Sequence, residues 1–415
     1  MQILAKLSQL SSELLGDLFY LPEDAKHQAM RIAYSTDASV YQELPLAVAI
    51  PRAKEDLGKL IAFAREQRVT LIPRTAGTSL AGQVVGAGIV VDVSRFFNKI
   101  LELNLAQRWV RVEPGVIRDD LNSYLAPFGL MFGPETSTAN RAMIGGMIGN
   151  NSSGLHSIVW GDTRQNLLEA SVLLDDGSEV LFQPLDEKCL FEKLASAGRE
   201  GDIYRQLNKL LTTKANREAI VSGYPKKTLT RRNTGYALDF LVDNSNLFNL
   251  CHLLAGSEGT IGLVTEAKLR LMPLPPPEIG LLCVHFQDLV ECMRGNVVAL
   301  AHQPEASELV DKYILDFTVG HPTYQHNRFF IEGDPKALLI VEFRAHDLTT
   351  LLAKAEALKA DLIRSGLGYA YPFVTGLTQA NLVWDLRKAG LGLIRNLPGD
   401  EQPVNLIEDC AVAPE

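Results

Sequence analysis

The sequence predicts an α+β protein built from more than one unit, and three observations carry that prediction. From residue 46 onward, short apolar runs alternate with segments of helical spacing. An Asp-Gly dipeptide at Asp176 and Gly177 stands between two apolar runs, the signal of a hairpin turn. Pro273, Pro275, Pro276 and Pro277 fall within five residues, a stiff stretch that suits a domain boundary. At 415 residues the chain is also long for a single core.

Taken in order, residues 1–45 read as a helical lead-in. Lys6 and Glu13 interrupt the apolar pattern of residues 1–20, which therefore reads as an amphipathic helix and not as a signal peptide or membrane span. Residues 46–50 form a strand, and 55–67 a helix with Leu57, Leu60, Ile61 and Ala64 on one face. Strands follow at 89–93, 100–103 and 109–113, then a helix over 116–125 opened by Pro114 and Gly115. Residues 169–174 and 179–183 flank the hairpin turn, 190–213 read as polar and helical, and 256–271 as a loop entering a strand pair. Beyond the prolines, strands at 280–285, 307–310 and 337–343 alternate with helices over 288–301 and 348–365. That pattern predicts a second α+β unit whose sheet is covered on one side. The expected domains are 1–45, 46–275 and 276–415.

Composition excludes some classes of function. The 47% hydrophobic and 21% charged shares are ordinary for a globular protein. A net charge of -9 argues against a broad nucleic-acid surface, which needs clustered Lys and Arg. The five cysteines, Cys189, Cys251, Cys283, Cys292 and Cys410, show no C-x-x-C spacing, and no histidines cluster at metal-ligand spacing. They read as reduced thiols of a cytoplasmic protein, with no metal site.

Two loops carry the chemistry. PRTAGTSLAGQ (73–83) leaves the end of an apolar run with small residues, so that successive backbone N–H groups can form an anion seat. Some sixty residues later, GPETSTANRAMIGGMIGNNSSG packs Gly145, Gly146, Gly149 and Gly154 among Asn150, Asn151, Ser152 and Ser153. It offers close backbone approach together with many donors and acceptors, and a dinucleotide needs both. No Gly-Lys-Ser/Thr closes a phosphate loop, and Gly86 and Gly88 run into a strand where a Rossmann motif would start a helix. A flavin must bind in another way.

With YSTDASVYQ (34–42), VEPGVIRDDLN (112–122) and GSEGTIGLVTE (256–266), these loops occur in an order that resembles the FAD-linked oxidases of the vanillyl-alcohol oxidase type, in their D-lactate dehydrogenase and glycolate oxidase branch. The resemblance covers essentially the whole chain and is nearest to the large fused proteins in which a flavin unit precedes an iron–sulfur part. It implies an FAD-binding domain of the PCMH type, made of two α+β subdomains, followed by a partial cap domain that shapes the substrate pocket. By position, Arg74, Thr75, Ala76, Gly77, Thr78 and Ser79 would hold the pyrophosphate, with Gln83 a further cofactor-binding residue. Pro134, Glu135, Thr136 and Ser137 would lie near the isoalloxazine and diphosphate. Gly145, Gly146, Asn150, Ser152, Ser153 and Gly154 would line the flavin, with Glu258, Gly259 and Ile261 on the adenine or ribose side. Relatives that bind FAD covalently place a histidine in the first loop; this loop has none, so noncovalent FAD is implied. His156 reads as a local hydrogen-bonding residue.

For the substrate, Arg387 in WDLRKAG aligns with the arginine that relatives use to grip a 2-hydroxy-acid carboxylate, with Arg231, Arg232 and Tyr236 of RRNTGY close to flavin and substrate. A guanidinium suits that task because it makes two parallel hydrogen bonds to a carboxylate. Each has a plainer reading as a solvated or ion-paired surface residue. Glu408 and Asp409 match a strand motif of the cap, with a structural role. The resemblance implies hydride transfer from a D-2-hydroxy acid such as D-lactate, glycolate or 2-hydroxyglutarate to flavin N5. Relatives take the hydroxyl proton with a histidine in a His-x-Gly-Asp-Gly-Asn stretch, and none of the eight histidines sits in one. The sequence thus reads as the N-terminal portion of a longer enzyme, expected to turn over poorly alone, with an iron–sulfur cluster only if a further C-terminal part exists. The alternatives are a non-catalytic FAD-binding subunit completed by another polypeptide, and a flavin reductase on the same fold. The electron acceptor is left open, as is the choice between monomer and homodimer. Attachment to the inner face of the membrane is the alternative to a free cytoplasmic protein.

Overall fold

A computed structural model describes residues 2–226, 229, 231–232, 235–243, 247–395, 399–400 and 411–413. Glu408, Asp409, Cys410, Asn233 and Thr234 lie outside the described residues. Three principal sheets organise the chain. The first runs Asp17–Phe19, Ala47–Ile50, Ile89–Asp92, Leu71–Arg74. Its inner pairs are parallel because helix Lys54–Gln67 provides the crossover, and only Asp17–Phe19 pairs antiparallel. Ala47–Ile50 and Ile89–Asp92 are buried at every position, as strands covered on both faces must be.

The second sheet is antiparallel throughout, in the order Ile100–Asn104, Trp109–Val112, Leu263–Arg270, Leu167–Leu173, Glu179–Phe182. Its central strand, Leu263–Arg270, arrives last in the chain. Alternating burial along that strand turns Leu263, Thr265, Ala267 and Leu269 inward, with Ala267 and Leu269 in the largest apolar cluster and Leu263 in that of the first sheet. The Asp176-Gly177 turn joins the last two strands of the sheet as the sequence predicts.

The third sheet, Ala306–Asp311, Ala337–Ala345, Glu278–Phe286, Phe373–Thr375, is also antiparallel. The proline-rich residues 273–277 lie between it and the second sheet. One face packs on helices Leu289–Ala301 and Leu348–Arg364, the other on helix Leu377–Lys388 through Ala380, Val383, Trp384 and Leu386. The expectation of a sheet covered on one side is therefore corrected: Glu278–Phe286 is apolar on both faces because both are buried.

One further expectation is corrected and another is refined. The first helix stops at Glu13, since a Cβ on Gly16 would lie 2.1 Å from the Ile50 carbonyl oxygen, and that close approach lets Asp17–Phe19 join the first sheet. The stretch 190–213 is two helices, Glu187–Ala195 and Gly198–Thr212. Asp186 accepts the Cys189 N–H at the start of the first, and the extended Ala197 opens the second. Among the described residues no helix is long and apolar enough to cross a membrane.

Candidate functional site

A cavity of about 820 Å³ lies where the loops of the first two sheets meet the third. It is at the upper end of the roughly 300–1,000 Å³ usual for small-molecule sites. The first loop contributes Arg74, Thr75, Gly77, Thr78, Ser79 and Gln83; the second Glu135, Thr136, Ser137, Gly145, Gly146, Asn150, Ser152, Ser153 and Gly154. Glu258 and Gly259 enter from the loop before Leu263–Arg270, and Arg231, Glu308, Trp384, Arg387 and Lys388 complete the wall. Gly77 has φ +66°, a conformation that glycine adopts without strain.

Several residues set this geometry from behind. Arg74 turns its guanidinium to the Thr36 carbonyl oxygen at 2.8 Å and over the Tyr34 ring, tying residues 34–36 to the first loop. Tyr34 in turn hydrogen-bonds Asp92, and burial together with that carboxylate pushes its phenol up to about 12. Arg118 donates to the Pro134 carbonyl oxygen at 3.1 Å, while Asn122 both donates to and accepts from the backbone of Phe132. Arg164, 3% exposed, donates to the carbonyl oxygens of His252 and Ala255, at 2.9 and 2.7 Å, and so fixes the start of the Gly256–Gly259 turn.

The remaining sequence-predicted residues fall off the cavity wall. Ala76 and Pro134 are in the loops without lining the cavity, and Ile261 lines a neighbouring hollow of about 350 Å³ with Pro73 and Gly259. Arg232 pairs with Asp239 and lies over the Phe240 ring, and Tyr236 hydrogen-bonds Thr260. Those partners draw both side chains away from the cavity. Arg387 does reach the wall, where Glu308 holds its Nε at 3.0 Å and an Nη at 2.8 Å.

The lining carries six Arg or Lys residues against four Asp or Glu, a positive cavity in a chain of charge -9. Ser153 Oγ lines it and is buried without a hydrogen-bond partner, a polar atom placed for a ligand. Glycine backbone, hydroxyls and cations together fit a flavin dinucleotide.

Residues 45–182 match the family described as FAD binding domain. Over nearly its whole length the chain is similar to FAD-linked oxidases with the PCMH-type form of that domain, and its fold adds a cap to the FAD-binding part. Its cofactor is FAD. Among relatives, it is 36% identical over 398 residues to D-2-hydroxyglutarate dehydrogenase of Pseudomonas putida, covering 93% of this chain and 39% of that protein. It is 26% identical to glycolate oxidase subunit GlcD of Bacillus subtilis, across 92% of this chain and 68% of that one. A solved alkyldihydroxyacetonephosphate synthase shares the fold, with TM-score 0.59 and 17% identity, covering 95% of this chain and 68% of that one. The chain thus spans about two fifths of the length of the dehydrogenase it matches.

Arg118, Arg141, Glu308, Trp384 and Lys388 line the cavity without having been read from the sequence as site residues. Lys388 was within reach, since it directly follows Arg387 at the end of helix Leu377–Lys388. Glu308 had no such signal; it stands in an ordinary strand, and only the fold brings it to Arg387.

Proposed function

We propose that this chain binds FAD in the cavity and takes part in the oxidation of a D-2-hydroxy acid, with a dicarboxylate such as D-2-hydroxyglutarate as the substrate class. The observation that carries the reading is the positive wall that joins the flavin loops to Arg231, Arg387 and Lys388. The match to D-2-hydroxyglutarate dehydrogenase supports it.

When bound, FAD supplies the acceptor for the hydride that leaves the α-carbon. The chain's own residues bind and orient. Backbone N–H groups of residues 75–79, with the Thr75, Thr78 and Ser79 hydroxyls, would hold the pyrophosphate, and Ser153 would offer its unpaired hydroxyl. Glu308 fixes the plane of the Arg387 guanidinium, which then meets a substrate carboxylate in one orientation. In this reading Lys388 and Arg231, both on the cavity wall, would take the second carboxylate. Orientation of this kind supplies much of the rate in a reaction whose hard step belongs to a cofactor.

The test is anaerobic mixing of the FAD-loaded chain with D-2-hydroxyglutarate, D-lactate and glycolate while the flavin visible band is followed. D-2-Hydroxyglutarate is expected to bleach the flavin at the lowest concentration. Arg387→Met should raise the concentration needed at least tenfold, about 1.4 kcal/mol of binding, with FAD affinity intact. No bleaching by any of the three acids sinks the proposal.

A further inference from the structure

His156 stands behind the cavity wall and touches both halves of the molecule. Its Nδ1 is 2.7 Å from Glu135 Oε1, in the loop that lines the cavity. Its Nε2 is 3.2 Å from Glu342 Oε1, in the middle strand of the third sheet, at an angle too bent for a hydrogen bond. The ring stacks on Trp160 with centroids 3.9 Å apart. Glu342 is fully buried and accepts from Arg344 Nε at 2.7 Å and from Trp384 Nε1 at 2.9 Å. Leu155, the preceding residue, packs into the apolar cluster on the same face of the third sheet.

Glu342 is fully buried and Glu135 partly so, and a ring with a carboxylate at each nitrogen is favoured as a cation even with Arg344 beside Glu342. A neutral imidazole has a proton on one nitrogen only, so one carboxylate would face a lone pair. An imidazolium donates to Glu135 and sets its positive charge against Glu342. We infer that His156 is a positioning residue which, held as an imidazolium, pins the Glu135 loop of the FAD-binding half to the third sheet and so closes the cavity around the cofactor. The inference rests on FAD binding in this cavity and is independent of the substrate proposed above.

The groups facing the cluster are Glu135, Glu342 and Arg344, with Arg118 and Lys388 acting on Glu135. Burial works against the charged ring, but the two carboxylates outweigh it and raise the imidazole to about 9. A folded-state value above the ordinary 6.5 means that the contact is complete below 6.5 and is lost as the pH rises through about 9.

Two of the three tryptophans, Trp160 and Trp384, touch this cluster, so intrinsic emission reports on it. Tryptophan emission and FAD affinity would be measured on the chain from pH 6 to 10, for the native protein, His156→Gln and Glu342→Gln. A one-proton rise in emission centred near 9 is expected in the native protein, together with at least a tenfold loss of FAD affinity over the same range. His156→Gln should show neither transition and bind FAD at least tenfold more weakly at pH 7. Glu342→Gln, which removes one of the two charges, should move the emission midpoint to lower pH. A native emission profile indistinguishable from that of His156→Gln overturns the inference. So does an emission transition with no change in FAD affinity, since the ion pair would then position nothing. Failure of the substrate proposal shows instead as FAD binding without bleaching, which these readouts do not involve.

Discussion

Gly154 sets how closely the second cofactor loop can approach its neighbour. A Cβ there would lie 2.4 Å from Glu135 Cγ and 2.5 Å from the Glu135 carbonyl oxygen, and no rotamer change moves the latter. Gly154→Ala must displace the Glu135 backbone, at a cost of about 1–3 kcal/mol. We expect FAD affinity to fall at least tenfold and the thermal midpoint by a few degrees, measured by flavin fluorescence and calorimetry; unchanged affinity would show that the loop relaxes freely. Residues of this kind were legible in the sequence because glycine, serine and asparagine declare their backbone demands locally. His156 was legible only by half. Its local hydrogen bond to Glu135 could be expected, but Glu342 stands nearly two hundred positions further along. The available clue was a lone carboxylate inside the apolar strand ALLIVEFRA.

At the scale of elements, Asp56 binds the start of the chain to the first sheet. It is fully buried at the opening turn of helix Lys54–Gln67 and accepts the N–H groups of Leu15, Gly16 and Arg52 at 2.7, 2.9 and 2.9 Å. Asp56→Ala leaves three backbone donors without an acceptor, and we expect a loss of about 2–4 kcal/mol in urea unfolding. A loss below about 0.5 kcal/mol would mean that water takes over the role. The regular elements were legible wherever periodicity is strong, as in Lys54–Gln67, Leu348–Arg364 and the Asp176-Gly177 hairpin. The short strand Asp17–Phe19 was not, because the apolar pair Leu18 and Phe19 after an amphipathic helix continues the helical pattern, and only the contact of Gly16 with Ile50 reveals the break. The second cover on the third sheet was missed for a related reason. Helix Leu377–Lys388 has its apolar residues scattered among polar ones, and its role comes from where it lands.

For the whole molecule, two histidines bound the pH range of stability. His252 is held near 4 by burial and by the neighbouring Arg164. Its folded-state value lies below the ordinary 6.5, so its contribution is complete above 6.5 and is lost as the pH falls through about 4. The difference corresponds to at most about 3 kcal/mol. His156 acts in the opposite direction, and its contribution is lost as the pH rises through about 9. The thermal midpoint should therefore peak near neutral pH. His252→Gln should flatten the fall between pH 6.5 and 4.5, a window above the depressed Glu135 and Glu342. A native-like acid slope in that variant would assign the effect elsewhere.

The strand Leu263–Arg270 has one more consequence, for synthesis. It fills the centre of the second sheet, between Trp109–Val112 and Leu167–Leu173, yet it lies well beyond the matched residues 45–182. On the ribosome those two strands emerge long before the one that joins them. Until residue 270 has left the exit tunnel, the nascent chain carries two open, apolar sheet edges side by side. The cofactor half can therefore close only late, and a chain ended at residue 182 would expose the same edges permanently.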